Sequence, residues 1–182
     1  MSARARNAVR GVALLGCAAV LVLAGWLVRL LPGPQLVAAV GLRPVDGTLT
    51  VSACYEASDA EGYPGGTECK GVYTPRRSGE PRREVLLDDA AARHEPGSAV
   101  PVRIARGKAY ELSGSAVGHA CAVTGFLLVP FLALASWLLA CARRGVPARA
   151  EAHLLAALAG LAAVFLLSVA AGLLVALGTT VL

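Results

Sequence analysis

Two cysteines, Cys54 and Cys69, are the residues of this chain whose type and spacing best suit chemistry. Fourteen polar, acidic and glycine-rich residues separate them, so the pair can be zinc ligands, redox thiols or a structural disulfide. A zinc site needs about four Cys or His ligands at close spacing, and His94 is the one other candidate nearby. The redox interpretation lacks the C-x-x-C spacing that lowers a thiol pKa. A disulfide is therefore favoured, provided that the pair lies in an oxidising compartment.

Other chemistry has little support in the sequence. It contains no G-x-S-x-G, H-E-x-x-H or Walker motif, and no paired carboxylates with a histidine. Cys17, Cys121 and Cys141 lie in or beside apolar segments and are expected to behave as inert small apolar side chains. The sequence thus predicts no catalytic residues, no metal site and no cofactor.

The apolar residues collect in three blocks, 11–31, 116–142 and 153–178. Each is longer than the roughly 20 residues that cross a hydrocarbon core about 30 Å thick, and none contains Asp or Glu. In lipid a helix satisfies its own backbone polar groups, so all three blocks are predicted to be transmembrane helices. The first block exceeds the apolar core of about 7–15 residues of a signal peptide, so an uncleaved span is expected.

Basic residues flank these blocks on one side. The tail 1–10 and the loop 143–152 carry three arginines each and are expected to be cytoplasmic. Segments 32–115 and 179–182 are then extracytoplasmic, where a disulfide persists. The net charge of +5 is explained by these flanks, and no folded basic face of the kind that binds nucleic acid is indicated.

Between the first two spans the sequence changes to short β-branched runs separated by turn residues. Five runs are predicted to be strands: GTLTVSACY (47–55), TECKGVY (67–73), REVLLDD (83–89), SAVPVRIARG (98–107) and KAYEL (108–112). Segment 84–93 fits either a strand or a short helix. The expected fold is a small five-stranded antiparallel β-barrel or sandwich inserted between helices one and two, with 56–66 as a mobile loop closed by the disulfide.

The order G-T-L-T-V, C, C-x-G-x-Y, E-P-G-S-A-V-P-V-R and A-Y resembles small actinobacterial multi-pass membrane proteins of unknown function. These motifs cover Gly47–Tyr55, Cys69–Tyr73 and Glu95–Tyr110, within about seventy residues of β-domain. Ser98 stands where an Asp is more usual in that family. The resemblance implies an extracytoplasmic, disulfide-bearing β-domain and a bacterial cell membrane, with no established activity.

Three ionisable residues, Arg29, Glu111 and His119, are expected near the outer membrane surface. An Arg29–Glu111 or Arg29–His119 contact would couple the β-domain to the membrane. The alternative is that Arg29 extends its guanidinium group to the lipid headgroups.

Small residues in the second and third spans suit close helix packing, either within the three-helix bundle or at a homodimer seam. They are Gly114, Gly118, Ala156, Gly160, Ser168 and Gly172.

A basic loop joins the second and third predicted strands. It holds Arg76, Arg77, Arg82 and Arg83. It is either a solvated hairpin loop, in which Glu80 and Glu84 dilute the charge, or a contact with anionic lipid or envelope polymer.

These features together predict a non-enzymatic, membrane-anchored extracytoplasmic module for binding or envelope organisation. The alternative is an accessory subunit of a larger membrane complex or transporter. A membrane thiol-disulfide oxidoreductase is the more distant alternative. The expected partners are the lipid bilayer and another membrane protein or a second copy of the chain, and not nucleic acid.

Overall fold

The computed structural model describes residues 2–58, 64–77 and 79–181. In that part of the chain it contains four helices and five strands. They are α1 (Ala3–Leu30), α2 (Gly33–Ala39), β1 (Gly47–Ser58), β2 (Pro64–Pro75), β3 (Arg83–Leu87), β4 (Ala99–Ala105), β5 (Lys108–Tyr110), α3 (Gly114–Arg144) and α4 (Glu151–Val181). The chain forms two compact units, Met1–Pro32 with Ala122–Leu166, and Gly33–Cys121 with Leu167–Leu182.

Helices α1, α3 and α4 contain the three predicted spans. Their most apolar windows have mean hydropathies of 2.4, 2.1 and 2.5, and each helix is long enough to cross a membrane. They indicate a multi-pass membrane protein. The helices extend beyond the apolar blocks: α1 begins at Ala3 within the predicted tail, and α4 continues to Val181 through the segment predicted as a tail. Met1 and Leu182 lie outside the described residues.

The short helix α2 has no counterpart in the sequence-based prediction. Its seven residues are too few to show a helical period, and its proline lies at the start, where no backbone N–H is needed. Ala38 and Ala39 are fully buried and pack with Ala105, Tyr110 and Ala116. Helix α2 therefore forms through tertiary contact with the β-domain and with the start of α3.

The β-strands pair in the order β1-β2-β3-β5-β4, and β4 pairs back to β1. Four of these pairings are antiparallel, but β3 and β5 are parallel through Leu87 and Ala109. The predicted five-stranded sheet is confirmed, but it is mixed, so the prediction that it is antiparallel throughout is wrong at the β3–β5 pair. The cause is the connection after β3, which carries the chain to β4 so that the β4–β5 hairpin returns β5 alongside β3.

Strands β1 and β2 are longer than predicted. Their register continues past the cysteines, with Glu56 opposite Thr67 and Ser58 opposite Pro64. The expected mobile loop 56–66 is therefore wrong at both of its ends, which are strand, while residues 59–63 of it lie outside the described residues. Backbone pairing with a neighbouring strand overrides the turn-like composition of this stretch.

The segment 84–93 is strand only as far as Leu87, and the residues that follow are irregular instead of helical. Their amide groups donate to three different places. Asp88 donates to the carbonyl of Ala109, Ala90 to that of Thr67, and Ala91 to the carboxylate of Glu111. Because these N–H groups have distant acceptors, an i to i−4 helical ladder does not form here.

The core of the β-domain lies inside the sheet. Its fully buried residues include Leu49, Leu87 and Val102, each with no exposed surface. In β4, Val100 and Val102 are buried, and Ile104 packs against the same core.

Candidate functional site

The cysteine pair forms the predicted disulfide. Cys54 and Cys69 lie opposite each other in the β1–β2 register and are bonded. Cys69 is fully buried in the sheet core, and Cys54 packs against that core. The carbonyl oxygen of His94 lies 3.5 Å from the Cys54 sulfur, and Arg93 donates to the Cys54 carbonyl at 3.4 Å. The disulfide therefore lies against the segment that leads to β4.

Glu111, the first residue after β5, has a nearly buried carboxylate. One of its oxygens accepts the N–H of Ala91 and lies 3.0 Å from Nε2 of His94. Its side chain is 11% exposed, so both contacts offset the cost of burying the charge. Arg29 lies in the last turn of α1 with an exposed side chain. The predicted pairing of Arg29 with Glu111 or with His119 stays a prediction.

Asp89 connects the β-domain to the start of α3 through its backbone. It has a left-handed conformation with φ of 51°, and its carbonyl accepts the hydroxyls of Ser113 at 2.6 Å and Ser115 at 3.3 Å. The Ser113 hydroxyl also accepts the N–H of Ala116 at 3.0 Å, which makes Ser113 the N-cap of α3. Ser113 is fully buried. A single side chain thus bonds to both the loop and the helix.

The Asp89 carboxylate faces His119. Oδ2 of Asp89 lies 3.7 Å from Nδ1 of His119, a separation that suits an ion pair better than a hydrogen bond. Burial raises the pKa of Asp89 above its usual value of 3.8, and the neighbouring His119 opposes that rise. His119 itself is 68% exposed. The histidine of the predicted coupling set therefore lies beside an acid that the sequence analysis did not single out.

Asp88 lies next to Asp89 in the chain and forms further polar contacts. It accepts from Nζ of Lys108 at 3.0 Å and from the hydroxyl of Tyr110 at 3.3 Å. Burial, with Asp88 adding to the effect, raises the pKa of Tyr110, so the phenol keeps its proton and donates. Two adjacent acids at a strand end were the available sequence signal, but the partners of Asp88 come from β5 and those of Asp89 from the start of α3. In the described residues no group of three or more His, Cys, Asp or Glu side chains is arranged to hold a metal ion.

The small residues of α3 and α4 allow close approach of the helix backbones. A Cβ on Gly172 would lie 2.7 Å from the carbonyl oxygen of Gly114, and one on Gly118 would lie 3.2 Å from that of Ser168. Ala156 is exposed instead. Residues spaced four apart in an α-helix are each rotated by about 40° relative to the one before. A series of such residues therefore cannot stay on one packed face.

Two basic segments meet at the turn between α3 and α4. Gly145 has φ of 67°, and a Cβ there would lie 3.3 Å from Nε of Arg10 and 3.5 Å from Cβ of Arg6. The indole N–H of Trp137 donates to the Ala148 carbonyl at 3.0 Å and holds the same turn. The first turns of α1 therefore lie against the loop that carries the other arginine cluster.

A cavity of about 410 Å³, which we call the arginine cavity, lies where β1 and β3 begin and β2 ends. Its charged lining comprises Arg43, Asp46, Arg76, Arg77, Glu80 and Arg83. Tyr73, 2% exposed, also lines it, and the guanidinium carbon of Arg83 lies 5.9 Å from the centre of its ring. That distance suits a cation–π contact. The basic loop thus contributes three of its arginines to a cavity with Arg43, which sequence analysis had not connected with it.

Comparisons of the chain with protein-family models, with curated protein sequences and with solved structures found no match. The resemblance to actinobacterial membrane proteins stays a prediction.

Proposed function

We propose that this protein is a membrane-anchored binding module whose β-domain faces the extracytoplasmic side. The observation that carries the proposal is the junction at Ser113. The disulfide-bonded sheet passes from Tyr110 into the α3 cap within three residues, and Ser113 bonds to both sides of the junction. A β-domain joined this closely to an apolar helix lies next to the bilayer surface when that helix spans the membrane. That arrangement suits recognition of a ligand at the membrane.

The proposed orientation is supported by the basic turn. Arg6 and Arg10 lie against Gly145, so the two arginine-rich segments meet at one end of the helices, as the positive-inside rule requires of two cytoplasmic flanks. The 31 residues of α3 extend about 46 Å, which exceeds the hydrocarbon thickness. If α3 crosses the bilayer, its β-domain end emerges opposite to its arginine end, where a disulfide is stable.

Binding is favoured over catalysis by the way the polar residues are used. Glu111 bonds to a backbone amide and to His94, and Asp88 bonds to Lys108 and Tyr110. These carboxylates therefore satisfy groups within the fold. The oxidoreductase alternative is disfavoured because the pair lacks C-x-x-C spacing and because Cys69, unlike the half-buried Cys54, has no exposed surface for a partner thiol. The accessory-subunit alternative is disfavoured because glycines of α3 and α4 already pack against each other.

Labelling of single cysteines in intact cells tests the proposal. In a background with the three free cysteines replaced by alanine, Glu95→Cys and Val146→Cys introduce thiols at exposed positions of the β-domain and the basic turn. A membrane-impermeant maleimide should label Glu95→Cys in intact cells and Val146→Cys after lysis. If only Val146→Cys is labelled in intact cells, the orientation is the reverse of the proposed one and the proposal is wrong.

A further inference from the structure

The arginine cavity carries an excess of positive charge. Four guanidinium groups line it against two carboxylates, those of Asp46 and Glu80. One carboxylate oxygen of Asp46 already has a partner in the fold, because Oδ2 accepts the N–H of Ile104 at 2.9 Å. Its Oδ1 lies 3.9 Å from Arg43, at the limit of an ion pair. About two positive charges therefore lack a matching carboxylate inside the cavity.

Two arginines of the basic loop, Arg76 and Arg77, have guanidinium groups that are not held by ion pairs within the described residues. Both are exposed at the cavity. The backbone beneath them is fixed, since the N–H of Arg76 donates to the carbonyl of Asp46 at 2.9 Å. This backbone bond keeps the Arg76 side of the loop at the cavity rim without occupying its guanidinium group. That leaves the planar N–H fork available to an outside anion.

A buried neutral side chain, that of Tyr73, also lines the cavity. Burial raises the pKa of Tyr73 above its usual value of 10.0, with Asp46 and Glu80 adding to the effect, so its hydroxyl remains protonated at physiological pH. Gly47 lies against this ring, and a Cβ there would come 2.5 Å from its Cε2 atom. The ring position is therefore set by the sheet and does not depend on the loop.

The size and chemistry of the cavity indicate the class of ligand. A volume of about 410 Å³ lies within the usual range for small-molecule sites and exceeds what one inorganic phosphate fills. Guanidinium groups pair with phosphate in two-pronged geometry, and each such charge-assisted contact is stronger than a neutral hydrogen bond. We propose that the arginine cavity binds the phosphate group of a phosphate ester, either an anionic phospholipid headgroup or a soluble phosphate compound. The extracytoplasmic source of that ligand rests on the proposed function, whereas the binding itself does not.

The test uses the full chain in nanodiscs of neutral phosphatidylcholine, which leave both faces of the protein open. One arm titrates glycerol phosphate and follows binding by calorimetry. The second arm compares thermal unfolding in neutral nanodiscs with that in nanodiscs containing phosphatidylglycerol. Arg76→Gln and Arg77→Gln should each weaken binding about tenfold or more. The matched control is Arg82→Gln, because Arg82 belongs to the same loop and is exposed but does not line the cavity.

The two arms separate the sources of the ligand. A response to glycerol phosphate without one to phosphatidylglycerol identifies a soluble compound, and a response to phosphatidylglycerol alone identifies a lipid headgroup. Responses in both arms show that the cavity accepts the phosphate ester from either source. Either response supports the proposal if Arg76→Gln and Arg77→Gln reduce it and Arg82→Gln does not. The proposal is overturned if neither arm responds or if Arg82→Gln weakens binding as much as the other two variants do. It is also overturned if sodium chloride at the same ionic strength produces an equal response. Inverted orientation would instead appear in the cell-labelling experiment while binding in nanodiscs persists, so the two failures are distinguishable.

Discussion

Ser113 lies fully buried between Asp89 and the first turn of α3 and bonds to both. Its hydroxyl donates to the Asp89 carbonyl at 2.6 Å and accepts the N–H of Ala116 at 3.0 Å. The helix has no carbonyl that can reach this first-turn amide, and the Asp89 carbonyl lies outside the strands. One hydroxyl therefore satisfies two backbone groups that belong to different elements, and it ties the β-domain to a membrane helix.

Replacing this hydroxyl should weaken the junction. We expect Ser113→Ala to lower the free energy of unfolding by about 1–2 kcal/mol, because the helix cap and the shorter of the two hydrogen bonds to the Asp89 carbonyl are lost together. The control is Ser115→Ala, an exposed serine whose bond to the same carbonyl is longer, at 3.3 Å. Thermal unfolding in detergent measures both variants. If both variants lose the same amount of stability, the cap formed by Ser113 contributes no more than the longer Ser115 hydrogen bond.

The disulfide should stabilise the β-domain without taking part in redox chemistry. It closes a loop with a sequence separation of 15. Cys54→Ser combined with Cys69→Ser should lower the free energy of unfolding by about 3 kcal/mol in the chain-entropy model. Cys121→Ala, a half-buried free cysteine, is the control. Thermal unfolding with and without reductant checks the prediction, and unchanged stability of the double variant would contradict it.

Asp89 should make stability depend on pH. Its pKa in the folded protein lies above 3.8, so the folded state binds the proton more tightly than the unfolded chain does. The stability contributed by this group is therefore lost as pH rises from about 3.8 through the folded pKa. Asp89→Asn removes the buried charge, and Asn tolerates the positive φ of this position. Its melting temperature should exceed that of the native chain at pH 7, and the difference should shrink towards pH 4.

A matched charge control separates this effect from net charge. Glu95→Gln removes one carboxylate from an exposed turn of the same domain. It should leave the pH profile of unfolding close to that of the native chain. If Asp89→Asn lowers the melting temperature at pH 7, the attraction between Asp89 and His119 outweighs the cost of burial.

Helix packing should be sensitive to bulk at Gly172. A side chain there meets the Gly114 carbonyl oxygen at 2.7 Å, so α3 and α4 would have to separate. Gly172→Leu should destabilise the protein by about 1–3 kcal/mol, as overpacking does elsewhere. Gly178→Leu, in the same helix with no atom within 4 Å of the added Cβ, is the control. Similar unfolding temperatures for the two variants would mean that close packing at this pair contributes little.

Local pattern was enough to predict several parts of the fold. The three long helices follow from runs of apolar residues without acids, since a spanning segment must satisfy its backbone internally. The five strands follow from β-branched runs between turn residues, and their centres agree with the structure. The Cys54–Cys69 bridge follows from the presence of two cysteines in a segment that is expected to lie in an oxidising compartment.

The remaining features depend on residues far apart in the chain. The parallel pairing of Leu87 with Ala109 decides that the sheet is mixed, and α2 forms because its alanines are buried by β4, β5 and α3. The bonds of Asp89 to Ser113 and of Glu111 to His94 likewise join separate segments.

The sequence by itself determined which segments are apolar enough to span a membrane, where the strands run and which cysteines can pair. Only the tertiary structure decided the direction of β5, the cap at Ser113 and the convergence of Arg43 with the basic loop. The physical reason is that hydropathy and backbone propensity are properties of neighbouring residues, whereas strand pairing and side-chain contacts form across loops of many residues. Their partners are therefore chosen by how the whole β-domain packs.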